Sequence, residues 1–530
     1  MENFGIGSWL QRRRPKSGSK TALVAGELEV SYELLADRSL RLARALKDRG
    51  VVKGDRVAYL GENHPAFLET LFACGILGAI FVPLNTRLAP PEIRFQLQDC
   101  GAVALIHSRS LSELAASGAE DTAVGRFVVV DESPQAIGTE ETAGTIATMG
   151  TGAPSGIPLE HFEDVLASGG AEPLDEPVGL DDAAMILYTS GTTGRPKGAL
   201  LTHGNITWNC FNVIVDFDFA STDVALMISP MFHVAALDMG VLPTLLKGGT
   251  VVLESKFDPR RTLQLIERHR VTTLSGVPTT FQLLCEHPDW PTADISSLDK
   301  LTCGGSAVPM RVLEAYEARG LRFSNGYGMT ETAPGATSLP AERSREKAGS
   351  SGLPHFFTDV RIADPMGNAV GPGEVGEIQI KGPNVIPGYW NRPEATAESY
   401  ADGGWFKSGD IGHRDPEGFV FISDRLKDMF ISGGENIYPA EVEQAIIELE
   451  AVASVAVIGV PDEKWGEVPR AVVVLRDGGH LSEAELKEHL AGRLARYKIP
   501  KSVLFVDDMP RTASGKIRKT ELRKLTPGRV

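Results

Sequence analysis

One stretch limits the fold of this chain more than any other, residues 188–198, which read YTSGTTGRPKG. It follows the apolar run at 184–187 and combines four Ser and Thr residues, three glycines and two cations around one proline. Glycines let backbone N–H groups turn toward an anion, hydroxyls donate to it, and cations balance polyphosphate charge. We therefore interpret the stretch as a strand leading into a phosphate-binding loop; a plain flexible Gly/Thr loop is the alternative. It is not a Walker A loop, because no Ser or Thr follows Lys197.

Apolar runs alternate with helical patterns on both sides of this loop. Before it, Ser31 caps a predicted helix at 34–46, a second helix is predicted at 65–77, and strands are predicted at 57–60, 79–83, 102–106 and 126–130. After it, a helix is predicted at 203–215 and the alternation continues to residue 324. Such βα units indicate largely parallel sheets with ligands beyond the carboxyl ends of the strands. Polar, glycine-rich loops fall at such ends, at 188–198, 229–233, 303–306 and 325–331.

The chain is too long for one core, because 530 residues exceed the size at which a single core stops growing. Residues 131–182 are rich in small and polar residues and predict a long surface connection with one short helix at 162–166. Short strands with Gly/Pro turns between 359 and 422 predict a small β-rich subdomain. The last hundred residues have their own apolar set and a capping box, Ser482 with Glu485.

The predicted fold class is therefore α/β. We expect a large N-terminal domain of doubly wound βα sheets with the β-rich subdomain (1–423), a hinge (424–428), and a small mobile α+β C-terminal domain (429–530).

Composition excludes several classes of protein. The net charge of −16 argues against a nucleic-acid binder, and an apolar fraction of 42% argues against disorder. The five cysteines form no CxxC pair, so neither a disulfide framework nor a zinc site is indicated. There is no signal-peptide pattern and no apolar run of about 18 residues, so we expect a cytoplasmic protein. The triplet Arg12, Arg13, Arg14 could make weak peripheral contact with an anionic membrane, but we favour a solvated charge run.

Three further stretches carry chemistry: NGYGMTET at 325–332, SGD at 408–410 with DRLKD at 424–428, and PRTASGKIRK at 510–519. With the loop at 188–198 they resemble, in order and spacing, the adenylate-forming superfamily of acyl-CoA synthetases, luciferases and peptide-synthetase adenylation domains. The resemblance covers nearly the whole chain. It is closest to bacterial medium- and long-chain fatty acyl-CoA synthetases, particularly a mycobacterial long-chain type, through PLNTRLAPPE, PMFHVAAL, YWNRPEAT, DRLKDMFISGGENIYPAE and VAVIGVPDEKWGE.

The resemblance implies a reaction in two halves that uses ATP, Mg²⁺ and coenzyme A. A carboxylate attacks the α-phosphate of ATP to give acyl-AMP and pyrophosphate, and the CoA thiol then displaces AMP to give a thioester. No enzyme nucleophile is required, so the protein positions and neutralises the reacting groups and excludes water.

The resemblance also implies an ATP site. Tyr327 would stack on adenine, Asp410 would bind the ribose hydroxyls from a glycine turn after a strand, and Arg425 would reach ribose or phosphate. Thr330 would donate to the α-phosphate, and Glu331 would give Mg²⁺ a carboxylate oxygen. The alternatives are a core tyrosine, a surface Asp–Arg pair and a solvated glutamate. The full set implied for ATP and AMP is Thr189, Ser190, Gly191, Thr192, Thr193, Gly194, Lys197, Gly304, Ser306, Asn325, Gly326, Tyr327, Gly328, Asp410, Ile422 and Arg425.

Two states of the C-terminal domain are implied by the same resemblance. Lys427 would be the hinge. In the first state Lys516 would neutralise the substrate carboxylate and the α-phosphate; a surface lysine is the alternative. In the second state a different face of the domain would meet coenzyme A, through Gly433, Gly434, Glu435, Trp465, Tyr497 and Lys498.

The acyl pocket is predicted by analogy. His233 would gate its mouth, although a structural histidine is the usual reading of a lone His beside apolar residues. Small residues stand where aryl-specific relatives often carry larger or polar groups, and they imply a long apolar tunnel that Met239 caps: Ala235, Gly305, Gly326 and Gly335.

We therefore expect an ATP-dependent acid–CoA ligase acting on a medium- or long-chain fatty acid. Three alternatives stay open: a ligase for an aryl or arylalkanoic acid such as benzoate or cinnamate, an acyl-AMP ligase that loads a carrier protein, and a nucleotide- or lipid-binding protein without catalysis. The expected partners are small molecules, and the sequence leaves monomer or homodimer open.

Overall fold

The structure, a computed structural model, describes residues 2–131, 157–189, 195–304, 308, 310–425, 430–437, 439–476, 478–510, 517 and 519–524. Its strands, in chain order, are β1 Thr21–Ala25, β2 Leu28–Ser31, β3 Arg56–Leu60, β4 Ile80–Pro83, β5 Ala102–Ser108, β6 Arg126–Val130, β7 Leu159–His161, β8 Ala183–Thr189, β9 Lys197–Thr202, β10 Val224–Met227, β11 Thr250–Leu253, β12 Thr273–Gly276, β13 Lys300–Gly304, β14 Phe323–Gly328, β15 Gly335–Leu339, β16 Leu353–Pro354, β17 Asp359–Ala363, β18 Gly376–Lys381, β19 Gly388–Tyr389, β20 Tyr400–Ala401, β21 Trp405–Arg414, β22 Val420–Arg425, β23 Phe430–Ser432, β24 Glu435–Ile437, β25 Val452–Asp462, β26 Gly466–Leu475 and β27 Ser502–Phe505.

The α-helices are α1 Ser8–Ser17, α2 Tyr32–Asp48, α3 Pro65–Leu77, α4 Pro90–Cys100, α5 Ser112–Ala119, α6 Phe162–Ser168, α7 His203–Asp216, α8 Val234–Ala236, α9 Leu242–Lys247, α10 Pro259–His269, α11 Pro278–Cys285, α12 Met310–Glu317, α13 Pro393–Glu398, α14 Pro439–Ile447, α15 Glu483–Leu490 and α16 Lys519–Leu522. A π-helix, Leu237–Val241, joins α8 to α9. Short 3₁₀ turns lie at Arg109–Leu111, Thr330–Thr332 and Ala341–Arg343.

Two large sheets make up most of the chain. One has the order β19-β9-β8-β4-β3-β5-β6-β7 and the other β16-β15-β14-β13-β12-β10-β11-β1-β2. Their central strands run parallel, and antiparallel strands such as β2, β9 and β15 lie toward the edges. This confirms the predicted α/β class. Because parallel strands need a crossover, helices cover the faces of both sheets and the carboxyl ends of the strands collect in one region.

Helix α3 illustrates why the pattern was readable from sequence. Its residues PAFLETLFACGIL are apolar on every side, and all thirteen are buried. The single acid, Glu69, is held by Arg38 at 2.6 Å. Pro65 occupies the first turn and Gly78 ends the helix with φ +68°, so the predicted bounds 65–77 are confirmed.

Two smaller sheets follow. β17, β18, β20, β21 and β22 form the predicted β-rich subdomain, and β23 to β27 form a five-stranded sheet in the C-terminal part of the chain. Ser482 and Glu485 make the predicted capping box at the start of α15. No helix in the described ranges has both the length and the apolar character that crossing a membrane demands.

The stretch at 188–198 joins two strands of a hairpin, which the sequence reading missed. β9 runs antiparallel to β8, with Thr189 opposite Lys197, before α7 begins. The sequence reading passed from loop to helix because KGALLT is short and runs into the capping box that Thr202 makes with Asn205. Residues 190–194 lie outside the described residues.

The predicted solvated arginine run is confirmed only in part, since Arg12 is exposed whereas Arg13 and Arg14 are partly buried. Arg13 donates to the carbonyl of Leu246 at 2.8 Å, and Arg14 donates to Glu33 at 2.6 Å. Arg12 donates to the Ser8 hydroxyl at 3.1 Å. The guanidinium groups of Arg13 and Arg14 therefore hold α1 to its neighbours, whereas the bond from Arg12 to Ser8 lies within α1.

Candidate active site

Tyr327 and Asp410, the predicted adenine and ribose contacts, touch each other. The hydroxyl of Tyr327 donates to Oδ2 of Asp410 at 2.6 Å. Asp410 does not follow a strand in a turn, as the sequence suggested, because it lies inside β21 opposite Arg425 of β22. Gly409, at φ +74°, breaks the regular pattern of the strand just before it. The two strands thus place the aromatic ring and the carboxylate side by side.

The residues 325–328 belong to β14, where the sequence predicted a loop after a strand. Two of the residues implied for nucleotide binding, Gly304 and Gly326, have free space where a side chain would begin. A Cβ added to Gly304 would meet nothing closer than 4.0 Å, and one added to Gly326 would meet only the carbonyl of Thr337, at 3.5 Å. Adjacent strands β13 and β14 pair Gly304 with Gly326. This bare strip gives a flat ring system room to lie against the sheet.

Glu331 lies in the 3₁₀ turn Thr330–Thr332 directly after β14. Its Oε1 accepts from the hydroxyl of Tyr389 at 2.8 Å and from that of Thr189 at 3.4 Å. Burial and the neighbouring Glu331 carboxylate raise the pKa of Tyr389 well above its usual value, so this hydroxyl stays a donor. Lys197 Nζ lies 5.3 Å from the centre of the Tyr389 ring. The strand hairpin and the 3₁₀ turn therefore meet around one carboxylate.

The donor set at Glu331 fits Mg²⁺ bound together with a polyphosphate. No cluster of three or more Asp, Glu, His or Cys side chains with metal-binding geometry occurs among the described residues. Mg²⁺ keeps several waters and is commonly bound by one or two carboxylates plus substrate phosphates, so one hard carboxylate is sufficient. Glu331 would hold the ion, and the ion would neutralise phosphate charge.

Several implied residues lie outside the described part of the chain, and their roles stay predictions. They are Ser190, Gly191, Thr192, Thr193, Gly194, Gly305, Ser306, Lys427 and Lys516. For Arg425 the structure gives the strand position alone, and Ile422 is exposed on the same strand.

His233, Glu435 and Arg87 form a contact between the N-terminal and C-terminal parts of the chain. Nε2 of His233 is 3.1 Å from Oε2 of Glu435, and Arg87 Nη1 donates to Oε1 at 2.5 Å. The side chain of His233 is 41% exposed, whereas that of Glu435 is 4% exposed. Burial alone would raise the pKa of Glu435, but His233, Arg87 and Lys498 together lower it below its usual value. Glu435 is therefore a buried anion held between the imidazole of His233 and the guanidinium of Arg87.

The glycine turn before Glu435 approaches the large sheets. Gly433 has φ +57° and Gly434 has φ +86°, so both need glycine. A Cβ at Gly433 would lie 2.5 Å from the ring of Trp465, and one at Gly434 would lie 3.9 Å from Val277. The turn thus passes narrowly between Trp465 and the N-terminal domain.

Lys498, an expected CoA contact, is buried instead of exposed. Its ammonium donates to Glu92 of α4 at 2.7 Å and to Glu441 of α14 at 2.8 Å, and its side chain is 6% exposed. The two carboxylates hold the pKa of Lys498 above its usual value against the effect of burial. Tyr497 beside it packs into a core cluster of the N-terminal domain, 3.4 Å from the amide of Asn85. In this arrangement both residues join the two domains.

The sequence reading missed Arg87, Glu92 and Glu441. The first two lie in PLNTRLAPPE, which was noted for resemblance but not for chemistry. Glu92 also accepts from the N–H of Ala89 at 2.8 Å at the start of α4, which is an ordinary reason for an acid in a first turn. Nothing local distinguishes such an acid from one that binds a lysine about four hundred positions later.

Gly335, one of the residues predicted to line the acyl pocket, has no free space beside it. A Cβ added to Gly335 would lie 2.8 Å from Nε2 of His355 and 2.9 Å from Oδ1 of Asn209. Asn209 accepts from the N–H of Gly335 at 3.0 Å and contacts Met239 Sδ at 4.0 Å. Ala235 is exposed one helical turn before Met239. Gly335 is therefore small because the polar side chains of His355 and Asn209 fill the space beside it.

Comparison with known proteins agrees with this geometry. The AMP-binding enzyme profile matches residues 10–390, and the profile of the AMP-binding enzyme C-terminal domain matches residues 441–516. A feruloyl-CoA synthase from Amycolatopsis sp. is 51% identical over 524 residues, covering 99% of each chain. An indoleacetate–CoA ligase from Aromatoleum aromaticum is 42% identical, covering 98% of each chain. A long-chain-fatty-acid–CoA ligase from Mycobacterium tuberculosis is 38% identical, covering 99% of this chain and 98% of the relative.

The solved structures include one enzyme in two complexes. A double mutant of o-succinylbenzoate CoA synthetase from Bacillus subtilis, bound to the product analogue OSB-NCoA, gives a TM-score of 0.84 at 33% identity over 98% of each chain. The same synthetase with the acyl-adenylate intermediate OSB-AMP gives 0.69 at 33% identity over 99% of each chain. The chain therefore belongs to the AMP-binding enzymes and is an AMP-forming acid–CoA ligase that uses ATP, Mg²⁺ and coenzyme A.

Proposed function

We propose that this ligase acts on a compact aryl or arylalkanoic acid rather than on a long fatty acid. The observation that carries the proposal is the close packing of His355 and Asn209 against Gly335, a residue predicted to line the acyl pocket. A long alkyl chain needs a continuous apolar tunnel, and a buried imidazole and amide in its path would block it and present polar atoms to it. The feruloyl-CoA and indoleacetate–CoA enzymes, more similar in sequence than the mycobacterial fatty-acid enzyme, support the same choice.

In the first half-reaction, a carboxylate oxygen of the acid bonds to the α-phosphorus of ATP, and the bond from that phosphorus to the pyrophosphate oxygen breaks. Tyr327 and Asp410 would hold the nucleoside, Thr330 would donate to the α-phosphate, and Glu331 would hold Mg²⁺. Lys516 would neutralise the two reacting anions, which otherwise repel each other. These groups position and neutralise, which is the main need in phosphoryl transfer.

In the second half-reaction, the CoA sulfur bonds to the acyl carbon, the bond from that carbon to the phosphate oxygen breaks, and AMP leaves while the thiol proton passes to solvent. Glu435 would draw His233 aside from the pocket mouth, and the turn Gly433–Gly434 with Trp465 would border the pantetheine passage. The contacts of Glu435 with His233 and Arg87 support this division.

We further propose that the described arrangement is the one that serves thioester formation. The higher TM-score with the CoA-analogue complex than with the adenylate complex of the same synthetase supports it. The domain limits would be 1–423 and 429–530, with Lys427 in the hinge between them. Rotation there would exchange the Glu435 face for the Lys516 loop.

A substrate panel tests the choice of acid. AMP and thioester are measured with and without coenzyme A, for acetate, medium and long fatty acids, benzoate, cinnamate, ferulate and indoleacetate. We expect the highest kcat/KM among the aryl acids, with a thioester that depends on coenzyme A. A maximum among long fatty acids would overturn the proposal. Accumulation of acyl-AMP despite coenzyme A would instead assign the chain to carrier-protein loading.

The roles in the two halves are tested with Lys516→Ala. We expect loss of acyl-AMP formation, while thioester formation from supplied acyl-AMP and coenzyme A continues. Equal loss of both halves would contradict the two-state assignment. Lys501→Met, a change at an exposed lysine of the same domain, is the control.

A further inference from the structure

A buried histidine and aspartate lie at the inner end of the acyl pocket. Nδ1 of His355 is 2.5 Å from Oδ2 of Asp216, and the histidine side chain is 1% exposed. The same oxygen accepts from the N–H of Phe356 at 3.3 Å and from the hydroxyl of Ser338 at 3.4 Å. A carboxylate in this role only accepts, so His355 donates through Nδ1. In the neutral imidazole, Nε2 is then left with a lone pair and acts as an acceptor.

This acceptor is unused by the protein. Within the described ranges, Nε2 of His355 is buried and has no hydrogen-bond partner. Buried polar atoms without partners are uncommon because their desolvation is not compensated, and they are expected where a ligand supplies the missing group. Asp216 fixes the ring, so the orphan atom has a defined direction rather than a free choice of rotamer.

The orphan nitrogen lies beside Gly335, one of the residues predicted to line the acyl pocket. It lies 2.8 Å from the point where a Cβ of Gly335 would stand. Across the strand pair, Gly326 is opposite Ser338, whose hydroxyl donates to Asp216. One predicted pocket glycine, Gly335, thus lies beside His355, and a second, Gly326, lies opposite the serine that binds Asp216.

Contacts from Met239 and Phe217 also lead to His355. Met239 contacts the amide of Asn209 at 4.0 Å, and Asn209 in turn binds Gly335. The ring of Phe217 meets the ring of His355 edge to face, with centroids 5.9 Å apart. Met239 and Phe217 thus supply apolar contacts beside the amide of Asn209 and the imidazole of His355.

We propose that His355, oriented by Asp216, accepts a hydrogen bond from a hydroxyl group on the aromatic ring of the acid. The inference rests on the proposed aryl specificity and refines it to hydroxyaryl acids. The carboxylate of the substrate must lie at the other end of the pocket, where His233 meets Glu435. A ring hydroxyl para to the side chain reaches farthest from that carboxylate, whereas an alkyl terminus or an unsubstituted ring offers no donor and leaves Nε2 unpaired.

The test compares two substrates in each of several variants. The quantity is the ratio of kcat/KM for 4-hydroxycinnamate to kcat/KM for cinnamate, and 4-methoxycinnamate serves as a para substituent without a donor. In the wild type we expect the hydroxyl compound to be favoured at least about fivefold, as one net hydrogen bond supports. In His355→Leu this ratio should fall to about one, because the variant keeps the volume and loses the acceptor.

A second variant keeps the packing. Asp216→Asn leaves the His355 ring in place but no longer dictates which nitrogen carries the proton, so the ratio should fall to an intermediate value. His287→Leu changes a histidine that contacts Asp289 elsewhere on the surface and should keep the wild-type ratio. A purely structural role for His355 would lower kcat/KM for both acids together and leave the ratio unchanged.

The outcomes separate the two proposals. If both cinnamates are good substrates and the ratio is the same in wild type, His355→Leu and Asp216→Asn, the hydroxyl site is wrong and the aryl specificity stands. If His355→Leu does not fold, the wild-type and Asp216→Asn ratios decide in the same way. If neither cinnamate is turned over while fatty acids are, the proposed function fails and the hydroxyl site fails with it.

Discussion

The ATP side and the CoA side of this site are held together in different ways. Tyr327 with Asp410, and Glu331 with Tyr389, are contacts within the N-terminal domain. Glu435 with His233, and Lys498 with Glu92, join that domain to the C-terminal domain. The first set therefore persists whenever the large domain is folded, whereas the second set exists only when the domains are docked as they are here. We infer from this difference that the residues proposed for adenylation are already in place in the folded large domain. The residues proposed for thioester formation come together only when the domains dock.

The largest effect is expected from a substitution at Glu331, which should slow acyl-AMP formation alone. Glu331→Gln removes the charged oxygen proposed to hold Mg²⁺ but keeps an acceptor for Tyr389. We expect acyl-AMP formation to fall about 10²–10³-fold, since the charge of the phosphates is then less well neutralised. Thioester formation from supplied acyl-AMP should change little, because no polyphosphate takes part in it. Pyrophosphate release and a thioester assay measure the two halves, and Glu342→Gln on an exposed 3₁₀ turn is the control.

Equal loss in both halves would contradict the separation. Recovery of adenylation on addition of Mg²⁺ would support the proposed role of Glu331 in holding the ion.

Sequence order brings the proposed ATP-site residues together more directly than the proposed CoA-site residues, for a physical reason. Tyr327 and Glu331 lie within one stretch of eight residues, so sequence order alone brings them near each other. The setting of Asp410 was misread because Ser408 and Gly409 look like a turn, although β21 continues through them with one irregular glycine. Strand β22 pairs with β21 there, and such pairing is a tertiary fact that local composition does not encode.

The contacts of Lys498 and His355 could not be predicted from the sequence. Lysine is almost never buried unless paired, so a surface role was the natural prediction for Lys498. Its burial depends on Glu92 and Glu441, which come from two different domains. His355 gave no signal at all, because its partner Asp216 ends a helix 139 positions earlier and only the fold brings them together.

The second largest effect is expected from a substitution at Lys498, which should slow thioester formation. Lys498→Met would leave Glu92 and Glu441 facing each other in a buried contact without their shared cation. Removing one partner of a buried ion pair costs about 3 kcal/mol or more, so we expect thioester formation from supplied acyl-AMP to fall about a hundredfold. Acyl-AMP formation should remain, because the large domain is unaltered. Lys501→Met, three positions away and exposed, is the matched control.

A companion variant shows whether the loss comes from uncompensated charge. Lys498→Met combined with Glu92→Gln removes one of the two stranded carboxylates and should recover part of the thioester rate. If the double variant is as slow as the product of the single effects predicts, the three groups do not act as one interdomain contact.

A smaller effect on thioester formation is expected from a change at Glu435, next to His233. Glu435→Gln keeps a hydrogen-bonding oxygen near His233 but removes the charge that also binds Arg87. Hydrogen bonds to a charged group are worth about 1.5–3 kcal/mol, so part of that loss predicts a fall of about tenfold in the thioester half-reaction. Single-turnover thioester formation measures it, with adenylation as the internal reference. A fall in adenylation of the same size would show that Glu435 serves both halves.

The smallest effect is a pH dependence confined to the docked state. Burial raises the pKa of Glu92 to about 7, against the opposing charge of Lys498 and with the charge of Glu441 adding to the rise. In the undocked state Glu92 faces water, and its pKa returns to about 4.3. The docked state therefore binds a proton at Glu92 more tightly than the undocked state does. Docking is favoured at about pH 4.3 and weakens as the pH rises toward about 7. The docking equilibrium changes by at most about tenfold per pH unit.

Glu92→Gln should remove this dependence while it keeps the acceptor for the Ala89 N–H at the start of α4. Because the CoA thiol also titrates, the useful quantity is the ratio of wild-type to Glu92→Gln thioester rates at each pH. We expect that ratio to fall between about pH 5 and about pH 7 and to stay level above it, since Lys498 keeps its proton there. Glu113→Gln, an exposed change in α5, should give a ratio that is flat throughout. A flat ratio for Glu92→Gln as well would mean that Glu92 has the same proton affinity in both states, and the Lys498 contact would then not distinguish the docked domain from the free one.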